Sequence, residues 1–237
     1  MRIRTISLVA IAVAALLAAI AIAVAPAFAA GSAASAATGS ASSTSVTKPP
    51  VVKKYIAFGA GRKQQMTDYS RHHYGAKQAS YVLSDPRAVV LHHTDGADVM
   101  SAWNTFNANT AYNGEKPGVS AQFIIAKDGT IYQLMPLSYR ARHCIGMNYV
   151  SFGIEFCQES AGHSGHWTDQ QILNRPKQVG AGLKLVRWLQ AHYGIKTGDV
   201  VGHATANNSR FFMDKTGIKN GAGDWFAAEL NKFKARL

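Results

Sequence analysis

The stretch Val89 to Thr94, reading VVLHHT, constrains the chain most. Three apolar residues, two of them β-branched, run directly into two histidines. That is the pattern of a buried strand delivering imidazoles at its C-terminal end, where α/β proteins place their chemistry. Successive strand residues point to opposite faces, so His92 and His93 serve different surroundings. A neutral imidazole is the commonest protein metal ligand. Taken alone, the pair reads as two half-buried rings satisfied by backbone carbonyls, and only partners elsewhere in the chain would change that.

A second short apolar run, Val200 to His203 (VVGH), also ends in histidine. Between the two lies a long helical pattern: Pro176 suits a first turn, Val179, Leu183, Val186 and Leu189 keep one face apolar, and Gly194 stops it. Two parallel strands either side of a helix would bring both imidazoles to one rim of a sheet. Gln122–Ala126 and Thr130–Leu134 flank Asp128–Gly129, a hairpin signal. Asp98 suits the N-cap of a helix carrying Val99, Trp103 and Phe106. Phe152 to Phe156 (FGIEF) reads as a strand interrupted by Glu155. Burying that carboxylate is costly without a partner and would raise its pKa toward the range useful for proton transfer. The alternative is an edge strand with Glu155 in solvent and Ile154 and Phe156 inside. Asp224 precedes an amphipathic terminal helix with Trp225, Phe226, Leu230 and Phe233, where it reads as an N-cap, and Asp214 lies in the loop before it. Tyr69, Arg71, His72, His73 and Tyr74 have no partner motif and read as a surface extension, and His163 and His166 as a solvated loop.

The N-terminus reads separately. Arg2 and Arg4 precede an uncharged apolar run from Ile6 to Ala25, and residues 26–29 give a small-residue cleavage pattern, so 1–29 reads as a secretory signal peptide. The run is also near the ~20 residues that span a bilayer, which leaves an uncleaved anchor as the alternative. Residues 30–52 are rich in Ala, Ser and Gly and read as a linker, 53–84 as an N-terminal extension, and 85–237 as the main domain. Without Arg2 and Arg4, 23 basic residues face 13 acidic ones, a formal +10. Export directs that excess toward anionic cell-envelope polymers rather than nucleic acid. The two cysteines, Cys144 and Cys157, either pair or remain buried thiols, and their spacing excludes a zinc-finger type of site.

In order along the chain, VVLHHT at Val89, SAQFIIAKDGTIYQL at Ser120, RHCIGMNYVSFGIEF at Arg142, VVGH at Val200 and GDW at Gly223 resemble the zinc-dependent N-acetylmuramoyl-L-alanine amidases of the second type, relatives of phage T7 lysozyme and the peptidoglycan recognition proteins. The resemblance implies an α/β fold, a mixed central β-sheet flanked by helices, with one zinc ion in a surface cleft of the 85–237 amidase domain. It places zinc ligands on His92 and His203. The third falls on Asp224, favoured over Asp214, although the family's usual K-x-D-P-G context is missing. Two His and one carboxylate leave a fourth position for water, as in catalytic zinc sites. Glu155 takes the position of the catalytic glutamate, and His143 and Arg142 that of substrate-binding residues. The family lysine two residues before the last ligand is replaced by Ala222, so His143, Arg142 or Lys219 would supply the cation.

The implied reaction is hydrolysis of the amide between the lactyl group of N-acetylmuramic acid and L-alanine of the stem peptide. The implied protein is a monomer, secreted or periplasmic, without stable membrane insertion after cleavage and without a nucleic-acid partner. The rival is a non-catalytic peptidoglycan-binding module of the recognition-protein kind, which would keep the groove and lack the full ligand set.

Overall fold

The computed structural model describes residues 46–237, so the expected signal peptide and the linker up to residue 45 lie outside the described residues. Among the described residues, no helix is long and apolar enough to cross a membrane. Strands β1 (Val52–Lys53), β2 (Ala88–Asp95), β3 (Phe123–Ile125), β4 (Ile131–Gln133), β5 (Ser151–Glu159) and β6 (Val200–Gly202) form one mixed sheet in the order β1-β4-β3-β5-β2-β6. The β3–β4 hairpin is antiparallel and every other pairing is parallel. Helices α1 (Ala60–Tyr74), α2 (Val99–Ala108), α3 (Gly165–Leu173), α4 (Pro176–Tyr193) and α5 (Ala227–Lys234) flank it.

The central strands carry continuous apolar runs because both of their faces are covered. Val89 and Leu91 of β2, Phe123 and Ile125 of β3, and Ile154 and Phe156 of β5 pack with Ile172, Leu183, Val186, Leu189 and Phe233 from α3, α4 and α5. On the other face, Ile124 and Cys157 meet Ala102 and Phe106 of α2, and Val90 meets Cys144 and Met147. Both cysteines are buried free thiols, each in a different apolar cluster, so the pairing alternative does not hold. Helix α1 buries Met66, Tyr69, His73 and Tyr74, and β1 adds an edge strand through Val52 opposite Tyr132.

Local signals act as the residue types predict. The Asp98 carboxylate accepts the Ser101 N–H at 2.8 Å, and α4 begins at Pro176 and ends at Gly194 with φ +70°. Strand β5 lies between β2 and β3, which overturns the edge-strand alternative. Parallel register sets Glu155 opposite His92 on one side and Ile124 on the other, so all three side chains share a face.

Candidate metal and catalytic site

Two parallel strands, β2 and β6, pair through Val89–Val200, Val90–Val201 and Leu91–Gly202, so the next residue of each, His92 and His203, emerges at the same sheet edge. Their Nδ1 atoms lie 3.1 Å apart. The Asp224 carboxylate completes the group, Oδ2 at 3.2 Å from His92 Nδ1 and Oδ1 at 3.1 Å from His203 Nδ1. Asp224 is therefore not a helix cap, and the N-cap of α5 is Phe226. Asp214 lies elsewhere, its Oδ2 at 2.7 Å from His73 Nδ1.

Glycines hold Asp224 in place despite its unfamiliar sequence context. A Cβ on Gly165 would lie 1.8 Å from the Gly223 carbonyl oxygen, and one on Gly202 would lie 1.8 Å from that of Trp225. The Gly223–Trp225 segment thus threads between α3 and β6 at a separation only glycine permits. Trp225, fully buried with φ +54°, donates its indole N–H to the His92 carbonyl at 3.1 Å. The Asp224 carbonyl accepts the Ala204 N–H at 2.9 Å.

The hydrogen bonds behind the rings set their tautomers. Asn220 uses its amide N–H groups on the carbonyl oxygen of Ile145 and Oδ1 of Asn207, which leaves its Oδ1 to accept from His203 Nε2–H at 3.1 Å. Ser151 donates to the Met147 carbonyl and accepts from His143 Nε2–H at 3.3 Å. His143 Nδ1 consequently accepts from His92 Nε2–H at 3.1 Å. Both ligand-side Nδ1 atoms then present lone pairs to each other and to a carboxylate, an arrangement that calls for a cation between them. Ideal tetrahedral zinc with ~2.0–2.1 Å bonds has donors roughly 3.3 Å apart, close to the separations here. The donor set fits a zinc ion.

Electrostatics follow from burial. Desolvation, helped by His203, lowers His92 to about 4, and burial keeps His143 well below the ordinary imidazole range. Without a metal, a proton on His203 takes the place of the cation: burial acts against it, but Asp224 and Cys144 together outweigh burial and raise the pKa, while His203 and His92 together hold Asp224 low against its own burial. Burial, reinforced by Asp224, pushes Glu155 well above the usual carboxylate range. His93 points to the other face, 3.9 Å from Asp169 of α3 and 3.3 Å from Asp95, with both ring nitrogens lacking a hydrogen bond among the described residues.

A cleft of about 550 Å³ is lined by His92, His203, Asp224, Glu155, His143 and Arg142. The Arg142 guanidinium donates to the carbonyls of Glu115, Pro117 and Tyr112 and lies over the Tyr69 ring, so it braces the 112–117 loop. Lys219 and Asn220 line an adjoining cavity of about 330 Å³ with Tyr112 and Ala222. His166 keeps the solvated position expected of it, 58% exposed at its side chain, while it stacks on Phe226 and lies 2.9 Å from Glu229. Sequence reasoning missed Asn220 and Ser151. Neither carries a local signal, since Lys-Asn-Gly reads as a turn and Ser151 opens a strand.

The family model for N-acetylmuramoyl-L-alanine amidase (Amidase_2) matches residues 83–216, more than half of the chain. The chain belongs to this amidase family. The match ends before Asp224. Among solved structures, the amidase is similar to an endolysin N-acetylmuramoyl-L-alanine amidase, LysCS, from Clostridium intestinale (20% identity, 79% of this chain and 97% of that one, TM-score 0.48). It is similar as well to a mutant endolysin from Bacillus subtilis (20%, 79% and 97%, TM-score 0.48) and to Drosophila peptidoglycan recognition protein SD (19%, 54% and 73%, TM-score 0.39). No curated protein matches the chain.

Proposed function

We propose that this peptidoglycan amidase cleaves the bond between the lactyl group of N-acetylmuramic acid and L-alanine with zinc held by His92, His203 and Asp224. The observation that carries this reading is the convergence of three lone-pair donors in a cleft whose neighbouring strand presents a buried carboxylate, Glu155. When bound there, zinc supplies a Lewis acid that polarises a carbonyl and lowers the pKa of water toward ~7. Glu155 takes the proton of the attacking water and returns it to the departing amine nitrogen, and its raised pKa suits both transfers. His143 holds His92 through Nε2, and Arg142 holds the cleft wall. With those nitrogens engaged, Lys219 is the cation left to meet the developing oxyanion. The complete donor set and Glu155 favour catalysis over a purely binding role.

In this proposal residues 1–29 direct export and the protein acts as a monomer in the cell envelope, where its formal +10 favours an anionic wall. The test is mass spectrometry of sacculus digests. Free stem peptides beginning with L-alanine, alongside stripped glycan, are expected; chelator abolishes their release and added zinc restores it. Products that keep the stem on the glycan would overturn the bond assignment.

A further inference from the structure

A second group of metal-ligating side chains lies outside the cleft, where His72 and His73 of α1 meet Glu115. His73 is fully buried. Its Nδ1 faces Asp214 Oδ2 at 2.7 Å and its Nε2 faces Glu115 Oε2 at 2.9 Å, while His72 Nδ1 faces Glu115 Oε1 at 2.7 Å. Asp214 is rigid, because its other oxygen accepts from the Thr216 N–H and hydroxyl. Its carboxylate therefore receives His73 Nδ1–H and leaves the Nε2 lone pair aimed at another carboxylate, an orientation that is repulsive without a positive charge between. A carboxylate behind a histidine whose second nitrogen faces a further donor is the outer-shell pattern of metal-ligating imidazoles. One carboxylate, Glu115, also faces a second imidazole. His72 is 60% exposed at its side chain, which leaves water access for open coordination positions.

We propose that His72 Nδ1, His73 Nε2 and Glu115 form a second divalent-metal site of His₂Glu type, oriented by Asp214. The donor set suits zinc. Its role is structural: Glu115 belongs to the 112–117 loop that Arg142 braces, and Tyr112 of that loop lines the cleft. A metal here staples the cleft wall to α1. The inference does not depend on the amidase reading, and its test does not use turnover.

The experiment is zinc stoichiometry by elemental analysis of the full chain, dialysed against zinc at pH 7.5, together with melting curves. Wild type is expected to hold two zinc per chain, and His72→Ala, Glu115→Gln and His92→Ala one each. In the His92→Ala background, zinc at a hundredfold excess over Kd should raise the melting temperature by about 5 °C or more, and adding His72→Ala should abolish the rise. A single zinc in wild type that His72→Ala retains, or two zinc in His72→Ala, would overturn the proposal. So would a proton-held clamp, seen as no zinc-dependent rise in His92→Ala up to millimolar metal.

Discussion

Replacing Gly202 with alanine puts a Cβ 1.8 Å from the Trp225 carbonyl oxygen and 2.7 Å from the Trp225 Cβ. Real Cβ contacts do not fall below 3.0 Å, so one backbone must retreat by about 1.2 Å. Gly202 is paired into the sheet opposite Leu91, which leaves the Asp224–Trp225 segment to move. That segment carries the Asp224 carboxylate, now 3.1 and 3.2 Å from the two ring nitrogens. Metal–ligand distances tolerate about ±0.2 Å, so a shift of that size removes a donor. Overpacking of this kind costs ~1–3 kcal/mol, which lowers the melting temperature by roughly 2–12 °C in a chain of this length. Zinc affinity should fall by at least the ~10–100-fold that loss of an outer-shell partner costs. The assay pairs melts of metal-free protein with zinc competition against a chromophoric chelator. Gly198→Ala, whose Cβ meets nothing within 4 Å, serves as the control. A Gly202→Ala protein with wild-type melting temperature and zinc affinity would refute the clamp.

Glu155→Gln should keep zinc and stability while turnover falls ~10²–10⁴-fold; near-normal release of stem peptides would remove Glu155 from the chemistry. Asn220→Ala takes the acceptor from His203 Nε2–H, so zinc affinity should drop ~10–100-fold, with activity recovering at saturating metal; unchanged affinity in chelator competition would count against it. Burial raises Asp169 from 3.8 to about 6, so the native state binds the extra proton between those values and stability falls as pH rises through that window. Asp169→Asn should then be more stable than wild type by about 1–3 kcal/mol at pH 7.5, the gain vanishing near pH 4 in urea melts. A gain that did not depend on pH would contradict the linkage.

The sheet was legible where burial on both faces forces apolar residues, as in VVL of β2 and FGI of β5, and where a turn or helix end has its own chemistry, as at Asp128–Gly129, Asp98 and Gly194. Pairing of the two histidine-ended strands followed from their common pattern. The choice between Asp214 and Asp224 was not decisive in sequence, because both follow His203 in loops of similar character. Glycines on two other elements, Gly165 and Gly202, settle which one reaches the histidines, and no local period records a contact between distant backbones. The same limit hid the partners of His72 and His73: Glu115 and Asp214 stand 42 and 141 residues from His73. Arg142 and His143 were visible as polar residues near the strand, but their roles as braces depend on carbonyls and rings that tertiary packing supplies.

Asp224 is fastened almost entirely from its C-terminal side and its flanks: by Gly165, Gly202, the Ala204 N–H, the Trp225 indole and the Asp169 carboxylate that receives the Phe226 N–H. Asn220 in turn is tied to Asn207 and Ile145 rather than to the residues before it. The few residues between Thr216 and Asn220 therefore carry little of the tension that sets the donor triangle. Gly217, with open space around its α carbon, marks a place where the chain can be lengthened. A short peptide tag or a fluorophore-bearing insert at that point would shift Lys219 and the Ile218 N–H that faces Asp214 while leaving the His92–His203–Asp224 triangle in place.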